Sequence, residues 1–241
     1  MEETKKLPVD TVIFDFDNTL VNTKQAVDDA YAKVFRLLSA KHKISLETLG
    51  REMNRIESQM TQGVDRAKEN YDRKEYFRIL SNKLGIPISE SEIDTYSDVF
   101  NSTIKDAAFF PRYTSEVISE LKKRGKKLGI LTEKDPFLPG LKQKRLEKLP
   151  CIHDFEFVVI AGETILESKT SPAAFTKTLE LFNLDASKTL FVGNRLDIDV
   201  ENAKKAGMIA ALVTTYPEDP RRSEYKPDYV FSDIRGVIDI L

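Results

Sequence analysis

The sequence predicts an α/β protein, a doubly wound parallel sheet with a four-helix unit inserted after its first strand. Three observations carry this. Thr11–Phe14 is β-branched and aromatic without alternation, as in a strand buried on both faces of a parallel sheet. Residues 22–107 show helical periodicity and no convincing strand. From Pro111 onward, short apolar runs alternate with amphipathic helices, the pattern of a parallel sheet covered on both faces. The core is therefore expected in residues 1–21 and 108–241, and the helical insert in 22–107.

The first strand ends abruptly in Asp15-Phe16-Asp17-Asn18-Thr19-Leu20. Ligands of open α/β sheets bind at the carboxyl ends of the strands, where Asp15 and Asp17 fall. Taken alone, Asp-Asn-Thr also serves as turn chemistry, since these side chains bond their own backbone. A calcium loop is excluded, because its sixth and twelfth positions need Gly and Glu and are here Leu20 and Ala26.

In the insert, Val27, Tyr31, Val34, Phe35 and Leu38 share one helical stripe. Leu46, Leu49, Met53, Ile56 and Met60 form a second at steps of three and four. Asp72 with Glu75 resembles a capping box opening a third helix, which Gly85-Ile86-Pro87 stops. Ser89 with Glu92 is a capping box for the fourth, whose stripe is Ile93, Tyr96, Phe100 and Ile104.

Beyond the insert, Thr114 is expected to cap a helix carrying Val117, Ile118 and Leu121, with Gly125 ending it. Strands are expected at 127–131, 155–160, 189–192, 209–213 and 229–231. Residues 135–150 read as a loop and basic helix of little diagnostic value. Ser171-Pro172, a cap followed by proline at the first helical position, opens a helix with Phe175, Leu179 and Phe182 inward. The loop 193–199 leads into a helix ended by Gly207.

A net charge of -2, with Lys and Glu mixed along the chain, creates no field that would gather nucleic acid or an anionic membrane. One cysteine, Cys151, and two histidines, His42 and His153, exclude an internal disulfide and a Cys/His zinc site. The opening Met1-Glu2-Glu3-Thr4-Lys5-Lys6 lacks the basic-then-apolar order of a secretory leader, and no long apolar stretch follows. These features lead to an expectation of a cytoplasmic protein and set no oligomeric state.

Polar residues thus collect at strand ends: Asp15 and Asp17, then Thr132, Lys169 before a helix, and Gly193-Asn194 with Asp197 and Asp199. That set resembles the haloacid dehalogenase superfamily. DFDNTL matches its D-x-D-x-T/V motif, Leu131-Thr132 its strand-end hydroxyl, Lys169 with Pro172 its lysine motif, and Val192-Gly193-Asn194 to Asp199 its G-D-x-x-x-x-D motif. The resemblance covers nearly the whole chain. It implies a Rossmann-like core with a helical cap, and a magnesium-dependent phosphatase of small phosphorylated metabolites.

Phosphate monoester hydrolysis is very slow without a catalyst, so a site must position a nucleophile and neutralise crowded negative oxygens. In the role the resemblance implies, Asp15 attacks phosphorus and forms an aspartyl-phosphate. Asp17 protonates the leaving oxygen and then activates water, so its pKa is expected above that of Asp15. Lys169 and Thr132 hold phosphate oxygens. Magnesium is expected on Asp15, the backbone carbonyl of Asp17 and Asn194, with Asp199 in the outer shell and Asp197 in reserve. Asp197 and Asp199 also read as helix N-terminal acids.

The pattern departs from the family at three positions. Glu133 follows Thr132 where small polar residues are common, and Thr170 stands where proline often follows the lysine. Asn194 replaces a usual aspartate, keeping an oxygen but losing a charge. Dehalogenases lack the second aspartate of the first motif, so Asp17 argues against that activity. Two other readings remain, a phosphomutase using the same aspartyl-phosphate and a non-enzymatic relative serving as an interaction module.

Overall fold

The computed structural model describes residues 7–61, 72–107, 109–135, 140–216 and 223–241. The opening Met1–Lys6 read above for a leader, and 136–139 of the segment read as a loop and basic helix, lie outside them. The chain divides into two compact units. One falls within Met1–Thr23, Ala108–Lys134 and Gly140–Leu241, the other within Lys24–Ala107 and Asp135–Pro139.

The first unit holds six parallel strands: β1 (Thr11–Phe14), β2 (Lys127–Glu133), β3 (Phe157–Ala161), β4 (Thr189–Gly193), β5 (Ile209–Val213) and β6 (Tyr229–Phe231). Their spatial order is β3-β2-β1-β4-β5-β6. Strand β1 is central, pairing with β2 through Phe14 opposite Ile130 and with β4 through Phe14 opposite Val192. A strand buried on both faces has no room for alternation, and β1 is buried at every residue. Val12 and Phe14 pack with Val117, Ile118 and Leu121 of α5 (Arg112–Lys123) and Val237 of α9 (Gly236–Ile240). Ile13 faces the other layer, with Phe175 and Leu179 of α7 (Pro172–Leu181) and Ala203 of α8 (Glu201–Lys205).

Local chemistry sets most helix ends. Ser171 accepts from the Ala173 N–H and Pro172 sits at the first helical position of α7. Thr114, expected as a cap, lies inside α5, which starts after Pro111. Its hydroxyl instead donates to the Leu20 carbonyl at 3.2 Å, tying α5 to the chain after β1. Before α8, residues Leu196–Val200 form a π-helical turn.

The second unit contains α1 (Thr23–His42, except its first residue), α2 (Leu46–Thr61), α3 (Arg73–Leu84) and α4 (Glu90–Asp106) around one core. Ser89 and Glu92 form the reciprocal capping box of α4. Asp72 caps α3 by accepting from the Lys74 N–H, and Gly85 ends α3 in the left-handed region at φ 63. Arg73 is held inside this unit, donating to Tyr31 Oη at 2.8 Å and Glu57 Oε1 at 3.1 Å while stacking on the Tyr76 and Phe100 rings. No helix among the described residues is long and apolar enough to cross a membrane.

Candidate functional site

The order of the sheet sets the site, because β2, β1 and β4 are neighbours and their carboxyl ends carry Thr132, Asp15 and Asn194. Asp15 follows β1 directly, its N–H donating to the Val192 carbonyl at 2.9 Å. The chain then turns through Asn18 at φ 55, a left-handed conformation that Asn tolerates, and closes a bridge between Asp17 and Val21. The turn places Thr19 beside Asp15.

Lys169, in the loop before α7, carries its ammonium onto Asp15 Oδ1 and onto Asp199 Oδ1, the latter at 2.8 Å. All three side chains are buried. Burial pushes the Asp15 carboxyl up to about 7, against the pull of Lys169, and the Asp199 and Asp17 charges push in the same direction as burial. Burial opposes the charge of Lys169, but Asp15 and Asp199 outweigh it and hold its pKa above the ordinary lysine value. Asp199 Oδ2 also accepts from the backbone N–H groups of Asn194 at 3.0 Å and Arg195 at 2.9 Å. Gly193 permits this arrangement, since a Cβ there would lie 2.4 Å from Asp199 Cγ. Asp197 is turned to Arg195, which donates to both of its oxygens at 3.1 and 2.9 Å.

Thr132 is buried on β2, and its Oγ1 has no hydrogen-bond partner among the described residues. Such atoms are rare in folded proteins and point to a ligand group. The oxygens available for a hard cation also converge. Thr19 Oγ1 lies 3.4 Å from both Asp15 Oδ2 and Asn194 Oδ1, so a carboxylate oxygen and an amide oxygen face one point. No group of three or more His, Cys, Asp or Glu side chains spaced for a metal occurs among the described residues. One carboxylate oxygen and one amide oxygen are the kind of hard donors that magnesium accepts, since it takes few protein oxygens and keeps several waters. Asp199, engaged with Lys169 and two backbone N–H groups, stands behind this set.

Asp17 departs most from expectation. Its Oδ2 takes the ammonium of Lys142, and its Oδ1 takes Arg145 Nη2 at 2.6 Å and Thr23 Oγ1 at 2.6 Å. Lys142 and Arg145 stand three residues apart on α6 (Leu141–Leu146), and both are buried over the Phe16 ring. Burial raises the Asp17 pKa, but Arg145 and Lys142 outweigh burial and hold it far below the carboxylate range. The order of the two aspartates is thus the reverse of the expected one: Asp15 is high and Asp17 is low. The cause lies in the segment read as a basic helix of little diagnostic value. An i, i+3 pair of cations was legible there; its target was not.

The family model for haloacid dehalogenase-like hydrolases matches residues 12–213. The chain belongs to this family. It is 27% identical over 235 residues to a glyceraldehyde 3-phosphate phosphatase of Methanocaldococcus jannaschii, covering 95% of this chain and 96% of that one. It is 25% identical to the pyrophosphatase PpaX of Bacillus mycoides, covering 98% of each. Among solved structures, the HAD-hydrolase YfnB of Bacillus subtilis, bound to magnesium, superposes with a TM-score of 0.77 at 19% identity, over 97% of this chain and 98% of that one. This haloacid dehalogenase-like hydrolase thus has the doubly wound core that its sequence predicts, with Asp15, Thr132, Lys169 and Asn194 at one end of it.

Proposed function

We propose that the protein is a magnesium-dependent phosphatase that hydrolyses a small phosphorylated metabolite through an aspartyl-phosphate on Asp15. One juxtaposition supports it above all. Asp15 sits between the ammonium of Lys169 on Oδ1 and the hydroxyl of Thr19 near Oδ2, and the adjacent strand carries the buried hydroxyl of Thr132, unpartnered among the described residues. The names of the relatives, phosphatases of glyceraldehyde 3-phosphate and of pyrophosphate, agree with a small phosphorylated substrate.

In this reading an Asp15 oxygen attacks phosphorus, the bond to the leaving oxygen breaks, and water then cleaves the acyl phosphate to release orthophosphate and restore Asp15. Lys169 and Thr132 hold the phosphoryl oxygens as charge redistributes. Asp15, the Asp17 carbonyl and Asn194 would hold a divalent cation, whose charge lets two anions approach, with Asp199 behind. Asp17, held ionised by Arg145 and Lys142, suits the second half, in which it takes a proton from the attacking water. In the first half it must carry a proton that the two cations oppose.

The helical unit serves here as a cap limiting substrate size. Small phosphate esters are therefore expected to outcompete a folded phosphoprotein, and efficient dephosphorylation of the phosphoprotein would count against a cap. The reading as a whole is tested by phosphate release from a panel of phosphorylated sugars, acids and nucleotides with magnesium, and again in EDTA. No release from any of them would favour an interaction module instead.

Asn194 offers an internal check on the metal. Asn194→Asp restores a full negative charge beside Asp15 and is expected to lower the magnesium concentration for half-maximal activity by ~3–10-fold, while Asn194→Ala raises it. Identical titrations for Asp, Asn and Ala would remove Asn194 from the metal site.

A further inference from the structure

Resting on that reading of the site, we propose that Glu133 and Asn202 act as positioning residues that clamp the main chain of Lys169 from two sides. The Lys169 N–H donates to Glu133 Oε2 at 2.6 Å, and the Lys169 carbonyl accepts from Asn202 Nδ2 at 3.0 Å. Glu133 Oε2 also takes the Ser168 hydroxyl at 3.1 Å, so one carboxylate oxygen gathers two successive residues of the loop. Asn202, on α8, is buried, and Glu133, the last residue of β2, is partly buried.

Lys169 belongs to neither a strand nor a helix, so no ladder of backbone bonds fixes its Cα. Its side chain has four rotatable bonds, and the ammonium must stay on Asp15 and Asp199 while lying over the Phe191 ring at 5.2 Å. A displaced Cα would move the ammonium with it. The two side-chain clamps remove that freedom by bonding both polar groups of the Lys169 main chain to regular elements. The clamp gives a reason for a glutamate directly after Thr132: β2 delivers Thr132 to the site and, one residue later, a carboxylate long enough to reach the lysine loop. A small polar side chain at 133 would not span that gap.

The test uses the full chain with p-nitrophenyl phosphate and magnesium, alongside hydrogen exchange of the Lys169 amide in magnesium-free protein. Glu133→Ala and Asn202→Ala are expected to lower kcat by ~10–100-fold with KM within about threefold, because misplacement of a charge that aligns the nucleophile costs rate more than ground-state binding. Glu133→Gln keeps an acceptor oxygen in place and is expected to restore most of the rate, which a general loss of stability would not reproduce. Lys169 amide exchange is expected to accelerate at least ~tenfold in Glu133→Ala. If Glu133→Ala does not fold, Glu133→Asp, one methylene short of the loop, carries the same comparison. Folded variants with wild-type kcat, or a loss that Glu133→Gln does not repair, would overturn the clamp. If the wild-type protein releases phosphate from no substrate, the phosphatase reading fails and the amide decides the clamp: faster exchange in Glu133→Ala upholds it, unchanged exchange overturns it.

Discussion

Asp15→Asn is expected to abolish phosphate release, by at least ~10⁴-fold in kcat, and at the same time to make the metal-free protein more stable. The first effect follows from the proposed mechanism, in which Asp15 is the nucleophile and an amide cannot replace it. The second follows from burial, which pushes the Asp15 carboxyl up to about 7, above its ordinary value near 3.8. In linkage terms, the folded protein holds this proton more tightly than the unfolded chain. The stability is fully present below the unfolded pKa and is lost as pH rises through the folded one. An amide carries no charge at any pH and escapes that loss. In EDTA at pH 8 the variant should unfold at a higher urea concentration than wild type, and the gain should shrink towards pH 5. Lys169 keeps Asp199 as a partner at 2.8 Å, so the substitution does not strand the lysine. Urea unfolding at the two pH values checks this. A variant that turns over normally removes the aspartyl-phosphate, and one no more stable than wild type shows that burial of the Asp15 charge costs the fold nothing.

The parts of the site legible in sequence are those whose chemistry coincides with the end of an element. Asp15, Thr132 and Asn194 interrupt apolar strands, and Lys169 precedes a Ser-Pro helix start, so position and residue type point the same way. Lys142 and Arg145 carry no such mark. Their helix has six residues, too short for periodicity to show a face, and basic residues on a short helix normally stay in water. Their burial comes from Asp17 and the Phe16 ring, two partners more than a hundred positions earlier in the chain. Thr114 shows the same limit from the other side. A hydroxyl near a helix start has the local signature of a cap, but its partner is the Leu20 carbonyl, 94 positions away. Local signals locate elements and their ends. Which buried side chains meet across the fold depends on strand order, and β2-β1-β4 adjacency cannot be read from spacing.

Asp17→Asn should act on stability in the opposite direction from Asp15→Asn, and this contrast tests the reversed order of the two aspartates. Asp17 holds three donors, from Lys142, Arg145 and Thr23, and both cations are buried. An amide offers one acceptor oxygen and turns two N–H donors towards an ammonium or a guanidinium, so the buried cations lose their counter-charge. Breaking a fully buried ion pair costs about 3–5 kcal/mol, and because Asp17 is itself only half-buried the cost here should be smaller, about 1–3 kcal/mol, which for a chain of this size lowers Tm by ~2–12 °C. The pH dependence has the matching sign. The Asp17 pKa is depressed in the fold, so its contribution is present above the unfolded carboxylate value near 3.8 and is lost as pH falls below it. Wild type in EDTA should therefore lose more stability on acidification than Asp17→Asn does. Kinetically, the proposed mechanism puts the fall in kcat at ~10²–10⁴-fold, because in it Asp17 exchanges protons with the leaving oxygen and with water. A second substitution separates charge from shape. With Arg145→Met added to Asp17→Asn, one stranded cation becomes an apolar side chain over Phe16 and part of the lost stability should return, while activity stays low. Equal stability for Asp17→Asn and wild type in EDTA would show that Lys142 and Arg145 do not bear on Asp17 in solution.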